Sequence, residues 1–281
     1  MAILLALATA VVYGGADFLG GLAARRVRAL LVVGWSQLAG WVLVSGLAVL
    51  TGGSPAPADF AWGAAAGLVG AIGLAVFYRA LAEGAMTVVA PVTAVCAAAV
   101  PVIAGLAGGD AVEAPALAGL VLALPAVGLV ATEPGVRPGR AELGSIGRAL
   151  LAGTAFGTMF VLLHEASPGS GLWPLVGSRL ASALLVVALL LVRPALRRPG
   201  LLVPRPVLPL VLGAGLADMT ANVLYLLAVR QGELSIVGLL SSLYPVSTVV
   251  LAALVLHERL SRLQLAGVGG CAVAVALIAW S

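Results

Sequence analysis

The chain is built from ten apolar segments, each near the length of a membrane-crossing helix, separated by short charged or Gly/Pro-rich breaks. They run approximately 2–24, 29–51, 60–81, 84–107, 114–132, 146–164, 172–192, 207–229, 234–256 and 262–280. A hydrocarbon core about 30 Å thick takes about 20 apolar residues per helix, so each segment can cross it once. Backbone polar groups in lipid must be satisfied within the segment, and the roughly 10-residue alternation of a barrel strand is missing. The expected class is therefore an all-α integral membrane fold of ten transmembrane helices. Composition agrees, with 62% apolar residues, 9% charged residues and a mean hydropathy of +1.17, where soluble domains carry about 25% charged residues.

The net charge of +4 does not point to nucleic acid. Its arginines lie in short clusters between apolar runs rather than on one polar face, which is the pattern of topology signals. The two cysteines, Cys96 and Cys271, sit in separate apolar segments without metal-ligand spacing, so no metal, cofactor or disulfide framework is expected. The apolar start, Met1 to Ala10, lacks a basic region before it and continues to Ala24, ending at Arg25, Arg26 and Arg28. It reads as a retained first span rather than a cleaved leader.

The chain also aligns with itself. At an offset of 148, Ala118-Gly119 falls on Ala266-Gly267, Gly84 on Gly232, Ala80 on Ala228 and Asp110 on Glu258. At 142, Ser36 falls on Ser178 and Gln37 on Arg179. This predicts two five-helix halves, 1–132 and 146–281, joined by a connection at 133–145. Five is odd, so the halves would lie in the membrane with opposite orientation, the inverted-repeat construction that supports alternating access.

The stretch Ser241-Ser242-Leu243-Tyr244-Pro245 through Leu256-His257-Glu258-Arg259-Leu260 to Gly267 resembles the closing helix pair of the EamA-type drug/metabolite transporter superfamily. Tyr13-Gly14-Gly15-Ala16-Asp17-Phe18 is similar to that family's first-helix aromatic-Gly motif, with Phe156-Gly157-Thr158-Met159-Phe160 as a second copy. The first half departs from the pattern, with Asp110 in place of the Glu and Pro101 four residues later than the position matching Pro245. The resemblance implies a ten-helix carrier of small molecules. It identifies the superfamily well and the substrate poorly.

Thirteen arginines lie in or beside the connections after odd-numbered segments, and only Arg230 follows an even-numbered one. The positive-inside rule then puts both termini outside, whereas the resemblance implies cytoplasmic termini.

Ionisable groups within a bilayer are costly and normally face the bundle interior or water, so they mark candidate sites. Two acids are deep: Asp17, two thirds along the first segment, and Asp218, near the middle of the eighth. Asn222 and Tyr225 follow Asp218 at i+4 and i+7, and Tyr13 precedes Asp17 by one turn, so each helix sets a carboxylate and a phenol on one side. These five are expected to line an aqueous cavity, the acids carrying protons or holding a substrate amine. For Asp17 a pairing with Arg25 or Arg26 at the interface remains open, and for Asp218 a structural hydrogen bond to a neighbouring helix. Arg179, whose repeat mate is Gln37, could clamp a carboxylate or phosphate bidentately or snorkel to the nearer interface. Gln37 and Tyr244 complete the candidate set. Asp110 and Glu258 are expected to cap or gate.

There is no phosphate-binding loop of the GxxxxGK[ST] type and no stretch long enough for an ATPase domain. The expectation is a secondary carrier in a prokaryotic inner membrane, as a monomer or homodimer, exporting or exchanging small polar metabolites that bear an amine or are zwitterionic. A lipid flippase or a membrane enzyme acting on a lipid are the alternatives, the enzyme disfavoured because no DDxxD-like or HxxE-like cluster occurs.

Overall fold

The computed structural model of the chain describes residues 1–24, 26–83, 86–130, 142–192, 202–255 and 261–280. Among them the regular structure is helical. The elements are α1 (Ala2–Ala24), α2 (Ala29–Thr51), α3 (Pro57–Glu83), α4 (Met86–Gly108), α5 (Ala114–Val130), α6 (Glu142–His164), α7 (Trp173–Val192), α8 (Leu208–Val229), α9 (Leu234–Ser241), α10 (Tyr244–Val255) and α11 (Arg262–Trp280), with one 3-10 turn at Pro168–Ser170. Five helices, α1, α2, α3, α6 and α8, are long and apolar enough to cross a membrane within their described residues, and α4, α5, α7 and α11 carry shorter apolar stretches.

Local signals explain the ends. Pro57 opens α3, where its missing N–H is not needed. Gly52 closes α2 at φ 73°, returning its N–H to the Ala48 carbonyl. Two boundaries differ from the sequence reading. The segment 234–256 is two helices, because Pro245 has no N–H for the Ser241 carbonyl and the chain breaks one turn earlier. There the Ser242 N–H reaches Gly238 and Leu239, and the Leu243 N–H reaches Leu240. Helix α6 begins at Glu142, so 142–145 is helical rather than connecting and Arg148 lies within the helix. Residues 131–141, and Glu258 with His257, lie outside the described residues.

The core mixes many alanines, including Ala6, Ala66, Ala94, Ala116, Ala123 and Ala274, with large side chains such as Leu163, Met219 and Tyr225, while Leu4, Val42, Val49, Ile103 and Leu184 are exposed on the outside. Small residues between helices with large apolar ones on the outer surface suit packing in lipid, where close backbone approach holds helices together.

Close contacts fix the helix pairs and their directions. Helix α1 runs antiparallel to α8, Gly20 facing Ala214 and Ala2 facing Gly232, and α3 runs antiparallel to α6, Gly70 facing Met159 and Gly73 facing Ala155. Helix α2 lies parallel to α8, and α3 parallel to α7; α1 packs on α9 and α10, and α4 on α6. A Cβ at Gly215 would strike the Ser36 carbonyl, and one at Gly67 would strike the Ser178 carbonyl. Three more pairs, α2 with α7, α4 with α9 and α5 with α11, pack antiparallel: Gly34 meets Val186, Gly238 meets Pro101, and Gly270 meets Ala126 while Gly119 meets Ala274.

Candidate functional site

A buried charged group, Arg179, lies one and a half turns into α7 and is 7% exposed. The small residues before it, Gly177 and Ser178, bring α3 against α7, and Gly40 on α2 leaves room beside the guanidinium, where a Cβ would stand 3.6 Å from Nε. All three guanidinium nitrogens are occupied. One terminal nitrogen pairs with the Asp218 carboxylate on α8, the other donates to the Gln37 amide oxygen on α2, and Nε points at the Met219 sulfur at 3.3 Å. Arg179 therefore does not snorkel, and its charge is already matched by Asp218.

Asp218 and Asp17 share an unusual setting. On α8 the positions one and two turns from Asp218, namely Val211, Ala214, Asn222 and Tyr225, are buried, yet the Asp218 side chain is 38% exposed. On α1 the same holds for Ala10, Tyr13 and Gly20 around an exposed Asp17, while the outward side of that helix carries Leu4 and Val11. An exposed position in the middle of a buried helical face lies on the inward side of the helix rather than on its outward, apolar side. The antiparallel register set by Gly20 and Ala214 brings Asp17 level with Asp218, and the two carboxyls lie within electrostatic range. Asp17 has no hydrogen bond or ion pair among the described residues. Arg26 is exposed, and Arg25 lies outside the described residues.

The other candidates divide. The Tyr225 hydroxyl donates to the Phe160 carbonyl at 3.0 Å, its ring stacks on Phe160 at 4.4 Å, and the residue is fully buried. The Asn222 amide donates to the Asp218 carbonyl of its own helix at 2.8 Å and is 5% exposed. Both expected cavity-lining groups are thus turned into the protein, since each finds a carbonyl there and an unmet polar group is costly. Tyr13 differs: its hydroxyl is buried without a hydrogen-bond partner among the described residues, within electrostatic range of Asp218, Arg179 and Asp17. Its ring lies 6.1 Å from Phe160 and 6.2 Å edge-on from Tyr244, and Tyr244 in turn is in electrostatic range of Asp17. The structure brings together Asp17, Tyr13, Arg179, Gln37, Asp218 and Tyr244.

A second polar group joins the connections at one end of the bundle. Asp59 accepts from the Ser167 N–H at 2.7 Å, the Ser167 hydroxyl at 3.0 Å and the Ala56 N–H at 2.8 Å. Arg230 donates to the Ser167 carbonyl and the Ser170 hydroxyl, and the Ser54 N–H to the Gly169 carbonyl. Gly53 and Gly171, both at positive φ, let these two connections touch. On the same face Asp110 accepts from the Ser235 N–H at 2.8 Å and hydroxyl at 2.6 Å, capping the start of α9. Four connections from different parts of the chain meet in these bonds. Sequence reasoning missed Asp59, Ser167 and Ser170; the signal within reach was Arg230, singled out by its place but not followed.

Residues 145–280 match the model of the EamA-like transporter family. A solved structure described only as the crystal structure of a protein is similar over 98% of this chain and 95% of its own, at 16% identity and a TM-score of 0.78, which speaks for the fold alone. No curated protein matches the sequence.

Proposed function

The chain belongs to the EamA-like transporter family, a multi-pass membrane protein, and from that premise we propose that it is a secondary carrier exporting or exchanging small polar metabolites by alternating access. The observation that carries this reading is the pair of exposed carboxylates, Asp17 and Asp218, on faces of α1 and α8 that are otherwise buried. Water or a polar solute is what such a position can face.

Alternating access needs two equivalent halves, and we take 1–132 and 146–281 as inverted repeats giving ten spans, α9 and α10 together forming the ninth. The helix pairing supports it. Exchanging the halves turns the α1 pair with α8 into the α6 pair with α3, and the α2 pair with α8 into the α7 pair with α3. Gly67 against Ser178 and Gly215 against Ser36 are the same contact under the offsets of 148 and 142. The pairs that map onto themselves, α2 with α7, α4 with α9 and α5 with α11, are antiparallel. A two-fold axis in the membrane plane gives antiparallel self-pairs, whereas an axis along the normal would give parallel ones.

The arginine distribution favours the latched face outside and the Arg-rich face in the cytoplasm of a prokaryotic inner membrane. In that orientation the latched connections lie on the outer side and Asp17 stands in the cytoplasmic half of α1. Proteoliposomes preloaded with amino acids, amines or nucleosides and assayed for counterflow test the reading. Retention of label with at least one class, abolished when the membrane is made leaky, is expected; flat traces for every class would remove it.

A further inference from the structure

The central site contains two acids and one base at one level, and the base is already spent. Arg179 is paired with Asp218 and held by Gln37 and Met219, so their charges cancel and Asp17 is left over. That carboxylate is exposed on the inward side of α1, unpartnered among the described residues, and in electrostatic range of the Asp218 carboxyl. A carboxyl so placed is neutral when it takes up a proton and, when ionised, is matched by a bound cation. Two phenol rings in edge-on contact, Tyr13 and Tyr244, lie within electrostatic range of Asp17, and the buried Tyr13 hydroxyl has no hydrogen-bond partner among the described residues. Aromatic rings in the neighbourhood of a carboxylate suit an organic ammonium better than a bare metal ion, because the ring quadrupole adds to the carboxylate's attraction.

We propose that Asp17, with Tyr13 and Tyr244, is the recognition site for an organic monocation, and that Asp218 serves to neutralise Arg179 rather than to hold substrate. This rests on the carrier reading and narrows it. A zwitterion is disfavoured, since the guanidinium its carboxylate would seek is already neutralised by Asp218 and engaged at all three nitrogens. Amines without a carboxylate are preferred over amino acids.

The test uses the purified full-length protein in nanodiscs and four probes sharing one phenyl group: phenethyltrimethylammonium, phenylalanine, 3-phenylpropionate and 2-phenylethanol. Binding is followed by intrinsic fluorescence. The quaternary cation is expected to bind about tenfold or more tighter than the alcohol, one carboxylate contact with ring stacking being of that order. Phenylalanine and phenylpropionate should bind no better than the alcohol. Asp17→Asn should bring the cation down to the alcohol's affinity with the melting temperature unchanged, because Asp17 makes no bond to lose, and Asp17→Glu should restore part of it. Tightest binding by phenylalanine or phenylpropionate, equal binding of cation and alcohol, or Asp17→Asn behaving as wild type would each overturn the proposal. Counterflow separates this from the carrier reading. Exchange of the anion would leave a carrier of different charge preference, and charge-selective cation binding without exchange of any solute would leave the binding site and remove the carrier.

Discussion

The guanidinium of Arg179 on α7 is ion-paired with Asp218 on α8 while its repeat mate, Gln37, accepts from the same guanidinium. The pair is an asymmetric element at a near-symmetric position, since Asp218 corresponds to Gly70 at the offset of 148. One half supplies both charges, and the other supplies a neutral acceptor and a glycine. Removing one member of a fully buried pair costs about 3–5 kcal/mol, and less here because Asp218 is 38% exposed.

Arg179→Gln and Asp218→Asn should therefore each lower the melting temperature of the purified protein, and the double variant should recover most of the loss. The coupling in such a cycle isolates the pair from its surroundings. Additive losses would show that the two side chains act independently.

The two tyrosines around Phe160 should separate stability from transport. Tyr225→Phe removes the bond to the Phe160 carbonyl and is expected to cost about 0.5–1.5 kcal/mol, the net worth of one buried hydrogen bond, since that carbonyl keeps its helical partner. Tyr13→Phe removes an unpartnered hydroxyl, so it should leave stability near wild type and change substrate affinity. Melting curves and counterflow on both variants check this, and a large stability loss for Tyr13→Phe would place its hydroxyl in the packing.

Opening toward the latched face should require Ser54 and Gly169 to part. With Cys96 and Cys271 replaced, the pair Ser54→Cys and Gly169→Cys should form a cross-link, given backbones joined by the Ser54 to Gly169 bond of 2.9 Å. The oxidised protein should lose transport and regain it on reduction. Full activity with the link closed would mean that this face does not open.

Gly67→Ala and Gly215→Ala are expected to damage the protein alike. Each methyl would meet a carbonyl of the helix beside it, Ser178 for Gly67 and Ser36 for Gly215, and overpacking of that kind costs about 1–3 kcal/mol. Membrane abundance and melting temperature are the measurements. A large loss in one and none in the other would argue against equivalent interfaces.

Hydrophobic length marked the segments, and the offsets of 142 and 148 suggested the duplication proposed above, because both are written along the chain itself. The depth of Asp17, Asp218 and Arg179 was legible for the same reason: depth in a helix is a count from its ends. The end of α9 was not, since a proline shows that a helix is weakened but not whether it bends or breaks. Which groups meet was decided only by tertiary structure. These helices are apolar nearly all round, so the periodicity that reports the inward side of a soluble helix is almost absent. Rotation and register come instead from close approach at Gly20, Gly40, Gly67 and Gly215. Those contacts turn Asn222 and Tyr225 inward onto carbonyls, give Asp218 to Arg179, and leave Asp17 exposed on the inward side of α1.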